Sequence, residues 1–408
     1  MEFKHTQLDN GLTIIGEVNP AAKSVALGFF VRTGSRDETP EVSGVSHFLE
    51  HMMFKGTDRR GALDVNREFD ELGAVYNAFT SEENTVYYGT VLPEFQGQLL
   101  DIWCDLMRPA LRQEDFSMEK GVICDEIARY EDMPTFRVYE KLMAEHFKGH
   151  KLSQNVLGST ESVQSMKRDD MQGYFDRRYS PGNVTLVGVG NLDFDAMVAD
   201  ASQKCSHWKP FDVTRELVHC AGAKTRGTIV DPNVTREHIA MMSSAPDSQS
   251  PDRYAAQLLA SVIGDGTGSR LFYALVEPAL ADEATMSYDM LDGTGAMLTF
   301  ISTDPARGGD CLRIVLDEFR KVMDEGITET ELQAAKNKIA SAATLKGEVP
   351  MGRLTSVGFD WVYRREYASL EDQIEQLYAV TADDVLLVAR QHDLTSATIL
   401  GLGPAEGI

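Results

Sequence analysis

The chain has 408 residues and a formal net charge of −24, with 39 Lys and Arg residues against 63 Asp and Glu residues. Apolar residues make up 43% and charged residues 25%, the balance of an ordinary globular protein. An acidic surface repels a phosphate backbone, so no nucleic-acid partner is expected. The longest apolar stretch, from Val25 to Val31, is far shorter than the run of about 18 residues that a membrane span needs. We therefore expect no membrane partner and, without a leader-like segment, a cytoplasmic location.

The two halves of the chain show a similar order of patterns. In the first half the β-rich stretch NTVYYGTVLP leads into helical patterns, and GAMLTFISTDP does the same roughly 210 residues later. Both halves then end in a capped helix followed by a strand. We predict an α+β fold of two homologous domains, residues 1–209 and 227–408, joined by a linker at 210–226.

One motif in the first half, GVSHFLEHMMFKGT, carries recognisable chemistry. On a helix His47 and His51 lie four residues apart and project from one face, so the pair can bind one metal ion. Glu50 lies beside this face and could polarise a metal-bound water without being a ligand. The arrangement is the inverted zincin pattern H-x-x-E-H. The alternative, histidines buried in a helical core, is costly because the rest of this helix is apolar.

A catalytic zinc ion usually has three protein ligands, so a third must lie elsewhere. The pattern SMEKGVICDEIARYED predicts a helix on which Glu119 and Glu126 lie seven residues apart, roughly 10.5 Å along one face. One of them could bind the ion while the other orients a histidine. From these residues alone, either glutamate could equally be solvated surface.

Three segments together resemble a known family. They are GSRDETPEVSGVSHFLEHMMFKGT, GAVYNAFTSEENTVYYGTVLPE and EKGVICDEIARYEDMP. They are similar to the pitrilysin/insulinase family of zinc metallopeptidases, especially its short, bacterial branch that resembles the mitochondrial processing peptidase. The resemblance covers essentially the whole chain. It implies that each half is a mostly antiparallel sheet with helices packed on one side, and that the halves enclose peptide substrates.

The resemblance also assigns roles around the motif. In the family pattern the second helix glutamate binds zinc, so His47, His51 and Glu126 become the ligands of one Zn²⁺ ion. Glu119 becomes the supporting carboxylate, and Glu50 becomes the catalytic general base.

The family pattern further implies a substrate-binding strand. A peptide would add to its edge through main-chain hydrogen bonds. The alternative is an ordinary half-buried strand. The residues concerned are Asn77, Ala78, Phe79 and Thr80.

The second half contains no equivalent metal ligands, which predicts an inactive domain and one zinc ion per chain. It also departs from the family after Leu275. Active members usually carry an Arg and, seven residues later, a Tyr, where this chain has Val276 and Glu283. A partner subunit could supply the pair, Tyr288 or Arg270 could replace it, or the chain could be a weak or specialised peptidase.

We therefore predict a zinc-dependent endopeptidase that hydrolyses unfolded peptides or small protein segments. The alternative is a non-catalytic zinc-binding structural or assembly subunit.

Larger family members close a chamber from four such domains, and this chain supplies two. A homodimer is therefore expected, with a heterodimer containing a related subunit as the second possibility.

A second histidine pair, His146 and His150, is also spaced by four residues. Gly149 lies between them, and no acidic residue recurs nearby at helical spacing. We therefore predict an exposed helix end here rather than a metal site.

Overall fold

A computed structural model describes residues 1–407, which form two compact units. The first unit contains Met1–Ala128, Gln154–Glu216 and Ala343–Leu370. The second contains Arg129–Ser153, Leu217–Ala342 and the chain from Glu371 onwards.

The strands are β1 Glu2–Gln7, β2 Thr13–Val18, β3 Val25–Val31, β4 Val75–Thr80, β5 Thr85–Val91, β6 Val184–Gly190, β7 Arg226–Val230, β8 Glu237–Ala245, β9 Ala281–Leu291, β10 Thr294–Thr303 and β11 Thr398–Gly403. The helices of the first half are α1 Val45–Met53, α2 Ala62–Glu71, α3 Gln96–Leu106, α4 Gln113–Glu131, α5 Pro134–His146, α6 Thr160–Ser165, α7 Arg168–Arg178 and α8 Phe194–Cys205. Those of the second half are α9 Arg253–Gly264, α10 Gly308–Glu325, α11 Glu329–Gly347, α12 Pro350–Arg364, α13 Leu370–Ala379 and α14 Ala382–Gln391. Within residues 1–407, no helix combines the length and the apolar character needed to span a bilayer.

Each unit is built on one sheet, and the five strands of the second sheet repeat the topology of β2 to β6 in the first. The strand order is β1-β2-β6-β3-β5-β4 in the first and β7-β11-β8-β10-β9 in the second. In each sheet one neighbouring pair is parallel, β2 with β6 and β7 with β11, and the other pairs are antiparallel. The predicted α+β class with two mostly antiparallel sheets is thereby confirmed.

Helices cover both faces of the first sheet. Trp103 of α3 packs near Tyr87 of β5 on one face, with ring centroids 6.3 Å apart. On the other face Leu354 and Val357 of α12 join the apolar cluster that contains Phe30. The prediction placed helices on one side only. It missed α12 because this helix comes from the far end of the chain, more than 150 residues after the last strand of its sheet.

The second sheet is covered in the same way. Helices α9 and α10 pack against one face, in the cluster that contains Met241 and Ile301. On the other face Val138 and Leu142 of α5 pack against Ala240 and Leu402. Each compact unit therefore includes a helix from the opposite half of the sequence, and the units do not coincide with the predicted ranges 1–209, 210–226 and 227–408. Residues 209–225, close to the predicted linker, contain no helix or strand.

The prediction of an exposed helix end was wrong for His146. This last residue of α5 is 1% exposed, and its Nδ1 lies 3.1 Å from Thr398 Oγ1. Gly222, with φ +78°, crosses the imidazole ring so closely that a Cβ at this position would collide with it. His150 is half-buried, with Nε2 3.0 Å from the carbonyl oxygen of Val218. The residues that cover His146 belong to the predicted linker and to β11, and both segments are distant from His146 in sequence.

Candidate metal centre

Helix α1 presents the motif from a largely buried position. Its apolar face is packed into the core and comprises Val45, Phe48, Leu49, Met52 and Met53. His47, Glu50 and His51 occupy the remaining face, as the helical period requires. The imidazole rings of His47 and His51 have centroids 4.7 Å apart and an interplanar angle of 66°. Both rings can therefore face one point beside the helix.

Helix α4 brings a carboxylate to the same point. Glu126 Oε2 lies 3.8 Å from His47 Nε2 and 3.5 Å from His51 Nε2. Potential ligand atoms of the three residues all lie within 4.8 Å of one another. Phe116 of α4 stacks on Phe48 of α1 with ring centroids 4.6 Å apart, which fastens the two helices together. Nowhere else in residues 1–407 do three His, Cys, Asp or Glu side chains come together in this way.

Glu119, the other glutamate of α4, contacts His51 at the ring nitrogen that faces away from Glu126. Glu119 is 3% exposed, and its Oε1 lies 2.9 Å from His51 Nδ1. Its Oε2 forms an ion pair with Lys55 Nζ at 2.6 Å. A hydrogen bond donated by Nδ1 leaves the lone pair of His51 on Nε2, the nitrogen nearest to Glu126.

The two histidines of the cluster differ in their electrostatics. Burial, with the neighbouring His51, lowers the pKa of His47 to about 4, so its imidazole stays neutral. Burial also acts to lower the pKa of His51, but its hydrogen bonds with Glu119 and Glu126 outweigh that effect and raise it to about 9. The carboxylates thus stabilise positive charge at His51, whereas His47 keeps a free lone pair.

Glu50 points to the edge strand of the sheet. Its Oε2 accepts a hydrogen bond of 2.5 Å from Thr80 Oγ1, at the end of β4. Burial raises the pKa of Glu50, although the hydrogen bond from Thr80 opposes that shift. Glu50 is therefore held beside the cluster.

The predicted substrate strand coincides with β4, the outermost strand of the first sheet. Asn77 is exposed, Ala78 is buried, and Phe79 and Thr80 are half-buried. Among the described residues, β5 is the sheet partner of β4, so the other side of its backbone has no strand beside it. The strand is thus an edge, and its binding of peptide stays a prediction.

Comparison with known proteins identifies the family. The profile described as "Insulinase (Peptidase family M16)" matches residues 13–160, and "Peptidase M16 inactive domain" matches residues 165–339. An uncharacterized zinc protease of Mycobacterium tuberculosis is 31% identical to this chain over 98% of it and 93% of that protein. This chain belongs to the insulinase family of peptidases, M16. Another relative, an uncharacterized zinc protease of Rickettsia felis, is 30% identical, with 99% of each chain covered.

A solved structure has the same fold. The crystal structure of a protease from Helicobacter pylori superposes with a TM-score of 0.92, covers 99% of both chains and is 20% identical in sequence. At this identity the likeness establishes the architecture, and the site residues are argued from this chain itself.

In the second unit the structure shows where the residues that depart from the family pattern lie. Val276 is half-buried against the apolar core, and Glu283 is exposed on β9. The suggested substitutes already have partners within their own unit. Tyr288 donates a hydrogen bond of 2.7 Å to the carbonyl oxygen of Pro246. Arg270 forms an ion pair with Glu331 at 2.7 Å.

Sequence reasoning missed two relationships in the candidate site. It named Thr80 as a strand residue but not as the partner of Glu50. It also did not identify Glu38, which lies nine residues before His47 and contacts the start of α1. A signal was available for Glu38. Gly44 precedes α1 and has no side chain that could accept hydrogen bonds from the first N–H groups, so these acceptors must come from elsewhere.

Proposed function

We propose that this protein is a zinc-dependent endopeptidase that hydrolyses unfolded peptides or small protein segments. The observation that carries the proposal is the convergence of His47, His51 and Glu126, with Glu50 beside them. Relatives of similar length are named zinc proteases, which supports zinc as the metal.

The donor set fits zinc. Two imidazole nitrogens and one carboxylate oxygen are the ligands that Zn²⁺ takes in catalytic sites, with a fourth position left for water or substrate. His47 is kept neutral by burial, so its lone pair is free to bind a metal. A bound Zn²⁺ ion would lower the pKa of a water molecule and polarise the scissile carbonyl group.

Glu50 would act as the general base. Its carboxylate accepts a proton from the attacking water and then passes that proton to the leaving amine. Thr80 Oγ1 donates to Glu50 Oε2 and so fixes one of the two carboxylate oxygens. The other oxygen remains available for the water proton.

The substrate would bind at the edge of β4. A peptide that pairs with the main chain of Asn77, Ala78 and Phe79 would extend the sheet by one strand. Pairing of this kind requires an extended segment, which is why the proposed substrates are unfolded. Thr80 links this strand to Glu50, so the base would lie near one end of the bound peptide.

The test is peptide hydrolysis by the purified chain and by two variants. Glu50→Gln should keep zinc and lose hydrolysis by a factor of about 100 to 10,000, the usual contribution of a general base. His51→Ala should lose both zinc and hydrolysis. Glu71→Gln, an exposed glutamate on α2, is the matched control and should behave like the wild type. Unchanged hydrolysis by Glu50→Gln would contradict the assignment.

Val276 and Glu283 support a second candidate function. They occupy positions where active relatives usually carry an Arg and a Tyr, so the chain could be a zinc-binding assembly subunit without activity. Incubation with a mixed library of unfolded peptides separates the two. Cleavage that a chelator abolishes supports the peptidase, and a lack of cleavage supports the subunit.

We further propose that the protein works as a dimer. Two domains would leave the zinc face open, whereas a second pair could exclude water and hold the peptide from both sides. A homodimer is the first choice because closed symmetric pairs are the commonest oligomers. Mass measurement in solution tests it. A monomer that gains activity only with a related subunit would establish the heterodimer instead.

The cytoplasmic location of the protein stays a prediction.

A further inference from the structure

The first turn of α1 cannot be capped by its own neighbour. The first N–H groups of a helix have no acceptor within it. The residue before the helix, Gly44, has φ +89°, and a Cβ there would lie 2.5 Å from the carbonyl oxygen of Leu157. A capping side chain therefore does not fit at this position. His47 lies in this same turn, as its third residue.

Glu38 supplies the missing acceptors from a distance in sequence. Its Oε2 accepts a hydrogen bond of 2.7 Å from the N–H of Gly44, and its Oε1 accepts one of 2.7 Å from the N–H of Ser46. The residue is 1% exposed. Burial raises the pKa of Glu38 to about 8, although the hydrogen bonds from Ser46 and Gly44 oppose that shift. The two carboxyl oxygens of Glu38 thus bind the backbone N–H groups of Gly44 and Ser46, the residues before and after Val45.

The surroundings of Glu38 make this contact stiff. Its own carbonyl oxygen accepts a hydrogen bond of 3.0 Å from Gln154 Nε2. The preceding residue, Asp37, forms ion pairs with Arg178 at 2.8 Å and with Arg215 at 2.5 Å. Glu38 is therefore anchored on both sides of its Cα.

Ser46 is held from a second direction. Its Oγ lies 2.6 Å from the hydroxyl oxygen of Tyr174, which in turn lies 2.7 Å from Thr33 Oγ1. Tyr174 is 1% exposed. The N–H and the side chain of Ser46 are thus both bound, directly before the first ligand histidine.

We propose that Glu38 is a positioning residue for the metal centre, which raises the affinity for a divalent cation by fixing the first turn of α1 and with it His47. The proposal rests on the proposed zinc site. Loss of the contact would let the first turn fray, and His47 Nε2 would then spend less time near Glu126 Oε2. We expect the loss of this contact to weaken metal affinity about tenfold. Helix caps and groups that orient metal ligands usually have effects of that magnitude.

The experiment compares the full-length protein with Glu38→Gln. Its matched control is Glu41→Gln, which makes the same substitution at an exposed position three residues later. Three quantities are measured: the dissociation constant for Zn²⁺ by competition with a chromophoric chelator, the visible absorption spectrum of the Co²⁺ form, and amide hydrogen exchange of the metal-free protein. Glu38→Gln should bind Zn²⁺ about tenfold more weakly, show an altered Co²⁺ spectrum and exchange faster at residues 45–48. Exchange in β3 should be unchanged, and Glu41→Gln should match the wild type.

Outcomes that overturn the proposal are distinct from failure of the zinc site itself. If the wild type binds no zinc, the proposed function is wrong. If the wild type binds zinc and Glu38→Gln has the same affinity and the same Co²⁺ spectrum, the positioning role is wrong. Should Glu38→Gln fail to fold, Glu38→Asp replaces it, because the shorter side chain keeps the carboxyl group but withdraws it from the helix. Glu38→Asp with wild-type zinc affinity would overturn the proposal.

Discussion

Thr80 Oγ1 donates a hydrogen bond of 2.5 Å to Glu50 Oε2, which joins the edge strand β4 to helix α1, the helix that carries His47 and His51. The two residues are 30 positions apart in sequence. The bond places the proposed general base and the proposed peptide-binding strand in one rigid arrangement. It also occupies one carboxylate oxygen of Glu50 and so orients the other.

The Thr80 hydroxyl should therefore contribute to turnover. We expect Thr80→Val, which keeps the shape and removes the donor, to lower kcat for peptide hydrolysis about tenfold, since one hydrogen bond to a charged group contributes about 1.5 kcal/mol or more. KM should change little because the β4 backbone is unaltered. Thr80→Ser keeps the donor and should retain most of the activity. Full kcat in Thr80→Val would show that the bond does not orient the base.

Glu119 should affect metal binding without touching the metal. Glu119→Gln removes the charge that faces His51 Nδ1 and Lys55, and groups of this kind change metal affinity by about 10-fold to 100-fold. We expect weaker Zn²⁺ binding of that order in chelator competition. Glu114→Gln, exposed on the same helix, is the control. Equal zinc affinity in Glu119→Gln and Glu114→Gln would contradict the supporting role.

Attachment of α12 to the first sheet should depend on a buried ion pair. Arg353 Nε lies 3.0 Å from Glu17 Oε1, and the two residues are 3% and 0% exposed. Removing one partner of a buried pair leaves an uncompensated charge, at a cost of about 3–5 kcal/mol. Glu17→Gln should thus lower the free energy of unfolding by about that amount in urea titrations.

An exposed arginine provides the comparison for this effect. Arg313, whose side chain is 63% exposed, pairs with Asp310 on the surface of α10. Arg313→Met should change stability by less than about 1 kcal/mol. Similar losses from Glu17→Gln and Arg313→Met would mean that the buried pair does not hold α12 in place.

His146 should make stability depend on pH. Burial lowers its pKa to about 4, below the ordinary value of 6.5, so the folded protein holds the neutral form. Between these values the unfolded chain binds the proton more readily. Stability is complete above about pH 6.5 and falls as the pH decreases towards 4, by about 1 kcal/mol between pH 7 and pH 5.5.

Urea titrations at the two pH values measure this loss. His146→Gln should remove the contribution, so the variant should lose about 1 kcal/mol less than the wild type over the same interval. His150→Gln, at the nearby half-buried position, is the control and should keep the wild-type dependence. An identical pH dependence in all three proteins would rule out His146 as its source.

The sequence by itself determined the local part of the site. His47, Glu50 and His51 share one helix face because the helical period places residues three and four apart together, whatever the rest of the chain does. The repeated pattern of strands and helices likewise predicted two sheets of the same kind, because hydrophobic periodicity follows backbone geometry.

Only the tertiary structure decided which distant residues meet these local elements. Glu119 and Glu126 lie on one face of α4, and helical spacing could not tell which of them reaches His47 and which lies behind His51. Without the family resemblance that choice was open, because it depends on how α4 packs against α1, through contacts such as Phe48 with Phe116.

The same reason explains the errors and omissions. The burial of His146, the place of α12 against the first sheet and the contact of Glu38 with the start of α1 all join segments that no local period connects. Secondary structure follows from neighbours along the chain. Burial and capping by remote side chains follow from the packing of the whole unit, where many weak contacts together select one arrangement.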